Sequence, residues 1–249
     1  MPRTGELLYY QNIGVDGQRH AINKPFSDDN CGQDLLRIGA LMSLLPPPPA
    51  RVLECGCGTG WLSHLLHKRG YDVVATDVAP EAIRLAEENS MFRGEGGPQF
   101  LVADAETLAY DSEFDAVVFF DSLHHTLNEQ EAIRGAYRAL RPGGVCVTLE
   151  PGIGHEKRSK AVSDHYDVTE KDMPPVYIRR LGRAAGFGKC DFYPAAQHLG
   201  SLLYSPQRIN PGWMRALFSV WPLSYLAAFY LMLIHKRYSG ITVLHKPVR

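Results

Sequence analysis

The 249-residue chain has only five cysteines, and no spacing pairs them into a framework. That excludes a small disulfide-stapled fold and points to a reducing compartment. "MPRTGELLYY" lacks the basic leader and apolar run of a secretory signal, which agrees with a cytoplasmic location. No internal repeat appears. Acidic residues are missing from one end: from Phe192 onward there are six basic residues and no Asp or Glu. The near-neutral total of −1 hides this asymmetry. Residues 1–150 carry 12 basic and 21 acidic side chains, and residues 151–249 carry 14 and 6. At 45% hydrophobic and 21% charged, the composition is that of a globular chain long enough for one large α/β domain with an elaboration.

Short apolar, Val-rich runs alternate with helical patterns. "ARVLEC" (50–55), "DVVATD" (72–77), "QFLVAD" (99–104), "FDAVVFFD" (114–121) and "VCVTLE" (145–150) read as strands buried on both faces. "WLSHLLHKRG", "APEAIRLAEENSM" and "NEQEAIRGAYRALRPGG" read as the intervening helices. This alternation predicts a doubly wound, mostly parallel sheet. A helix, "DMPPVYIRRLGRAAGF", and two more strands, "GKCDFYPA" (188–195) and "GITVLHK" (240–246), bring the sheet to seven. Before the first strand, "FSDDNCGQDLLRIGALMSLL" predicts a helix capped by Ser27 or Asp28. Its apolar face would be Leu35, Leu36, Ile38, Leu41 and Leu45, and Pro46 to Pro49 end it.

The first strand runs into "CGCGTG". Gly56, Gly58 and Gly60 leave the turn free of side chains where an open α/β sheet binds its ligand. Asp77 ends the second strand, 19 residues after Gly58, where a carboxylate can hold two ribose hydroxyls. Asp104, followed by Ala105, ends the third strand, and Asp121 ends the fourth. An edge carrying Glu54, Asp77, Asp104 and Asp121 suits an adenosine ligand without phosphates.

These segments resemble the class I S-adenosylmethionine-dependent methyltransferases, of the small-molecule type. "VLECGCGTG" is similar to that family's cofactor loop, "VVATDVAP" to its ribose segment, and "VADAETL" to its adenine segment. "FDAVVFFDSLHH" and "LRPGGVCVTLEPG" are similar to its fourth and fifth strands. The resemblance covers roughly residues 50–195. It implies a Rossmann-like fold with an antiparallel last strand, and S-adenosylmethionine as cofactor. It also implies Glu54, Gly56 and Gly58 at the methionine part, Asp77 at the ribose, and Asp104 and Ala105 at the adenine, with Cys57, Val78 and Ser122 among the cofactor-binding residues. Asp121 would lie near the methionine amino group. A dinucleotide loop would need Gly where Trp61 stands. Strand four ends in "DSLHH" rather than the Pro-Pro-aromatic segment that holds a flipped base, so no nucleic-acid partner is expected.

Methyl transfer to a hydroxyl or amine needs positioning and the removal of one proton. His125, after strand four, and His155, after strand five, are the candidate bases. His124, Glu150 and Glu156 lie in the same region, and His64 and His67 belong to the first helix's packing or surface. The loop "GHEKRSKAVSDHYDVTEKDMPP" offers no metal triad. The acceptor expected is a small molecule: a sugar, lipid-linked glycan or natural product. An inactive cofactor-binding module and a macromolecular acceptor are the alternatives.

Residues 1–49 read as an N-terminal segment and helix, with Tyr9, Tyr10, His20 and Lys24 in a lid or an ordered tail. Residues 50–195 are the core, 196–239 an apolar, basic insert, and 240–249 the last strand. Within the insert, Ala216 to Ile234 holds 19 residues without a charge, between Arg215 and the pair Lys236 and Arg237. That is long enough to span a bilayer, yet the strand after it must rejoin the sheet. The readings are a hydrophobic acceptor pocket or lid, a one-sided membrane contact, or a homo-oligomer interface.

Overall fold

A computed structural model describes residues 4–89, 96–205, 212–220 and 222–248. The seven strands are β1 (Arg51–Cys55), β2 (Asp72–Asp77), β3 (Gln99–Val102), β4 (Phe114–Phe120), β5 (Leu140–Leu149), β6 (Lys189–Pro194) and β7 (Gly240–His245). They form one sheet in the order β3-β2-β1-β4-β5-β7-β6. All pairings from β3 to β5 are parallel, and β7 runs antiparallel to both β5 and β6. The chain therefore starts at the centre, winds outward to β3, and returns past β1 to β4. That reversal leaves a crevice beyond the carboxyl ends of β1 and β4.

Both faces of the sheet are covered. One core gathers Phe114, Phe119, Ile133 and Leu140, and the other gathers Val52, Leu62, Leu66 and Val118, all buried. Complete burial of such a side chain contributes about 1.5–3 kcal/mol relative to exposure. β5 begins earlier than the apolar run predicts. Leu140 pairs with Phe114, and the register then shifts before Ala116 pairs with Val145, so "RPGG" is absorbed as an irregularity within the strand.

The helices are α1 (Thr4–Asn12), α2 (Gly14–Ile22), α3 (Cys31–Leu44), α4 (Trp61–Arg69), α5 (Pro80–Glu88), α6 (Glu129–Ala139), α7 (His155–Tyr166), α8 (Pro175–Ala185), α9 (Ala196–Tyr204), α10 (Gly212–Phe218) and α11 (Leu223–Ile234). The last two residues of the sequence pattern expected for α5, 90 and 91, lie outside the described residues. α3 begins later than its sequence predicts. Asn30 takes the N-cap position, and Asp28 instead accepts the Asn30 N–H at 2.8 Å. Ile38, Leu41 and Leu45 are buried as expected, but Leu35 and Leu36 remain exposed. α7 stands where a loop was expected. None of its residues is buried, so no apolar periodicity announces it. The uncharged run from Ala216 to Ile234 is not one span. α10 and α11 meet at a 104° bend, with Trp221 outside the described residues.

Candidate functional site

A cavity of about 470 Å³ lies beyond the carboxyl ends of β1, β2 and β4. At its floor the glycine turn takes left-handed backbone, with φ of +73° at Gly56 and +52° at Gly58. A Cβ on Gly56 would run into Ser122, and one on Gly58 into the Tyr10 hydroxyl. The glycines therefore let the fourth-strand turn and α1 close onto the loop, whose Gly56 and Gly60 N–H groups are taken by the Thr76 and Cys57 carbonyls.

Asp77 is fixed by that loop. Its Oδ2 accepts the Gly58 N–H and its Oδ1 the Ala79 N–H, both at 2.9 Å. Burial raises its carboxyl above the usual range, and these two N–H donors partly offset the rise. Each carboxylate oxygen keeps a further lone pair for a ligand hydroxyl. Val78, Asp104, Ala105, Asp121 and Ser122 line the same cavity. Asp104 also caps the 3-10 turn Ala105–Thr107 by accepting the Glu106 N–H.

Glu54 and Cys57 do not line the cavity. β1 directs Glu54 into the interior, where Ser63 donates to it at 2.5 Å and burial pushes its carboxyl up to about 8. Cys57 is buried in the turn with its N–H on the Thr76 carbonyl. Both hold the loop's shape from behind. Asp121 does line the cavity, but Arg37 of α3 takes it at 2.5 Å. Burial pulls its carboxyl up, and Arg37 outweighs that and keeps it below the usual value.

The far end of the cavity is built from histidines and carboxylates. His124 and His125 sit in the 3-10 turn Leu123–His125 with ring centroids 4.1 Å apart. Glu150, at the end of β5, accepts the backbone N–H groups of Ser122, Leu123 and His124, and the His124 Nδ1–H at 2.7 Å. On its other side, His124 Nε2 faces Glu170 at 3.4 Å. Burial disfavours the charged imidazole, but the two carboxylates outweigh it and raise His124 to about 10. His155, at the start of α7, places Nε2 2.5 Å from Glu170 and sits within reach of the Ser159 hydroxyl. His125 differs: among the described residues its buried Nδ1 has no hydrogen-bond partner, and it lies 3.7 Å from Glu6. Glu6 is itself held by the Thr169 N–H at 2.6 Å.

Ligating atoms of His124, His125 and Glu170 lie within 4.8 Å of one another, a grouping that the loop sequence does not reveal. His124, however, is occupied on both nitrogens by carboxylates. The N-terminal segment covers the cavity with Glu6, Tyr9, Tyr10 and Lys24. His64 lies away from it, bonded to the Ala86 carbonyl and packed on Phe100. Sequence reading missed Glu6, Arg37 and Glu170. Their partners Thr169, Asp121 and His155 lie 163, 84 and 15 residues away, and only the fold brings each pair together.

Residues 53–148 match a family model described as a methyltransferase domain. The chain is 36% identical over 113 residues to a ubiquinone biosynthesis O-methyltransferase of Xanthomonas axonopodis pv. citri, covering 44% of this chain and 46% of the relative. A relative of the same description from Paracidovorax citrulli is 30% identical over 111 residues, covering 44% and 47%. The chain thus matches about half the length of these curated relatives. Among solved structures it resembles phosphoethanolamine N-methyltransferase 2 of Haemonchus contortus, solved in complex with S-adenosyl-L-methionine. The TM-score is 0.68 at 18% identity, over 98% of this chain and 60% of that one. A structure described as a complex between the Haloferax volcanii Trm112 methyltransferase activator and a methyltransferase gives 0.63 at 17% identity, over 92% and 97%. At these identities the structural likeness shows the fold.

Proposed function

We propose that this chain, which carries a class I S-adenosylmethionine-dependent methyltransferase domain, transfers the methyl group of that cofactor to a hydroxyl of a small molecule. One observation carries the reading: a single cavity joins Asp77, Asp104 and Ala105 at one end to His125, His155 and Glu170 at the other. The first group suits an adenosine, and the second suits an acceptor that must lose a proton. S-adenosylmethionine supplies a methyl group on a sulfonium leaving group, and the protein's part is alignment and proton removal.

Asp77 would hold the ribose, with Asp104 and Ala105 at the adenine and Gly56, Gly58 and Ser122 along the methionine. His125 is the proton acceptor on this reading. His155, with Nε2 on Glu170, is the second candidate, and His124 is held between Glu150 and Glu170 on both ring nitrogens. The names of the curated relatives favour oxygen over nitrogen as the acceptor atom. The exposed apolar insert supports an acceptor with an apolar portion.

The test is incubation of the purified chain with S-adenosylmethionine labelled in its methyl group and a panel of phenols, catechols, sugars and lipid-linked glycans. Label should pass to a hydroxylated acceptor, and the His125→Ala variant should transfer far less. Failure of every acceptor while S-adenosylhomocysteine still binds would favour a cofactor-binding module.

A further inference from the structure

We infer that α10 and α11 form a one-sided docking surface for an anionic lipid bilayer, from which the enzyme draws an amphiphilic acceptor. The inference rests on the methyl-transfer reading for the second part only.

α11 is packed the wrong way round for a helix in water. Its buried residues are the small Ser224 and Ala228. Its large apolar residues Leu226, Phe229, Tyr230 and Leu233, spaced i, i+3, i+4 and i+7, form one face and are 57–64% exposed. Trp213 of α10 is 67% exposed as well. An apolar patch this continuous marks an interaction surface.

Three observations commit the patch to a bilayer. First, its charge is of one sign: Arg215, Lys236 and Arg237 flank it and are exposed, and no acidic residue follows Asp191 in the chain. Among the described residues none of these three has a carboxylate within 4.0 Å, so they stand ready for lipid headgroups. A two-fold dimer through the same patch would instead bring like charges together. Second, Trp213 and Tyr230 are aromatic residues with a polar handle, the type enriched where hydrocarbon meets headgroups. Third, the geometry fits lying on a membrane and not crossing it. No single helix among the described residues is long and apolar enough to span. The chain leaves the sheet at β6 and rejoins it at β7, paired with β6 by hydrogen bonds, so both ends of the insert stay on one side.

The surface leads toward the site. Gln197 and His198 of α9, on which α11 packs, and Tyr238 and Ser239, which follow α11, line a second cavity of about 160 Å³. It shares Asp121 and Pro151 with the main cavity. On this inference an acceptor with its apolar part in the bilayer would present its hydroxyl to the methyl group from the side of this second cavity.

The experiment is flotation of the full chain with vesicles of phosphatidylglycerol and phosphatidylcholine, against vesicles of phosphatidylcholine alone. The anionic vesicles should carry several-fold more protein, and raising the salt from 50 to 500 mM should release most of it. The double variant Leu226→Asp and Phe229→Asp should lose at least tenfold in bound protein, and Lys236→Gln with Arg237→Gln should lose most of the anionic preference. All variants should bind S-adenosylhomocysteine as the parent does, which separates this inference from the methyl-transfer reading. Equal recovery with both vesicle types and all variants would overturn it. So would a lipid-free dimer that the apolar double variant dissociates, with no protein on vesicles, since the patch would then belong to a second copy.

Discussion

The carboxylate of Asp77 accepts the backbone N–H of Gly58 at 2.9 Å, tying the end of β2 to the glycine turn after β1. One side chain thus shapes the loop and faces the cavity. Asp77→Ala should weaken S-adenosylhomocysteine binding by about 1.5–3 kcal/mol, the range for hydrogen bonds to a charged group. Asp77→Asn, which keeps an acceptor for Gly58, should recover part of the loop order and little of the affinity. Titration calorimetry on the folded variants decides, and unchanged affinity in both would remove Asp77 from the site.

His125 is the first candidate base in the sequence and His155 the second, and their surroundings differ. Among the described residues the His125 Nδ1 has no hydrogen-bond partner and faces Glu6 at 3.7 Å, whereas the His155 Nε2 is taken by Glu170 at 2.5 Å. His125→Ala should lower turnover with the true acceptor roughly 10²- to 10⁴-fold while leaving cofactor binding nearly intact. His155→Ala should cost less turnover. The reverse order in single-turnover rates would assign the base to His155.

The His124 cluster has a pH signature. His124 is raised to about 10 against the efforts of burial, so its ion pairs with Glu150 and Glu170 contribute fully below about 6.5. That contribution is lost as the pH climbs from there through about 10. Burial opposes ionisation of Glu170, but His124 and His155 depress it well below the usual carboxylate value. Its contribution is present above the ordinary glutamate range and is lost in acid. The melting-temperature penalty of His124→Gln should therefore be largest near pH 6 and shrink toward pH 10. A penalty that stays constant across that range would contradict an imidazolium at His124.

The His124 cluster also has the donor atoms of a metal site. A cation among His124, His125 and Glu170 would have to displace the proton that His124 holds between two carboxylates. Dialysis against a chelator should leave methyl transfer unchanged, and added Mg²⁺ or Zn²⁺ should not raise it. A turnover that collapses on chelation and returns with one cation would make the cluster a metal centre.

The sheet was legible because every strand that borders the crevice is a short apolar run closed by an acidic residue or a turn. β2 matches its sequence reading at both ends, Asp72 and Asp77. The glycine turn, Asp77, Asp104 and Ala105 follow from that pattern. Glu54 shows the limit of the pattern. A carboxylate beside the loop reads as a ligand group, but β1 directs it inward to Ser63. α7 was hidden because a helix that buries no residue carries no apolar stripe. Glu6 and Arg37 were hidden for another reason: neither lies in a motif, and each acquires its role only when α1 and α3 are folded against the crevice.

The central claim is that the cofactor lies with its ribose on Asp77 and its sulfur toward the histidines. A crystal structure of the chain with S-adenosylhomocysteine tests this most directly. The ribose hydroxyls should lie within hydrogen-bond reach of Asp77, the adenine beside Asp104 and Ala105, and the sulfur should face His125 across the cavity. A ligand bound elsewhere, or one whose sulfur points away from His125 toward Glu106, would contradict the account.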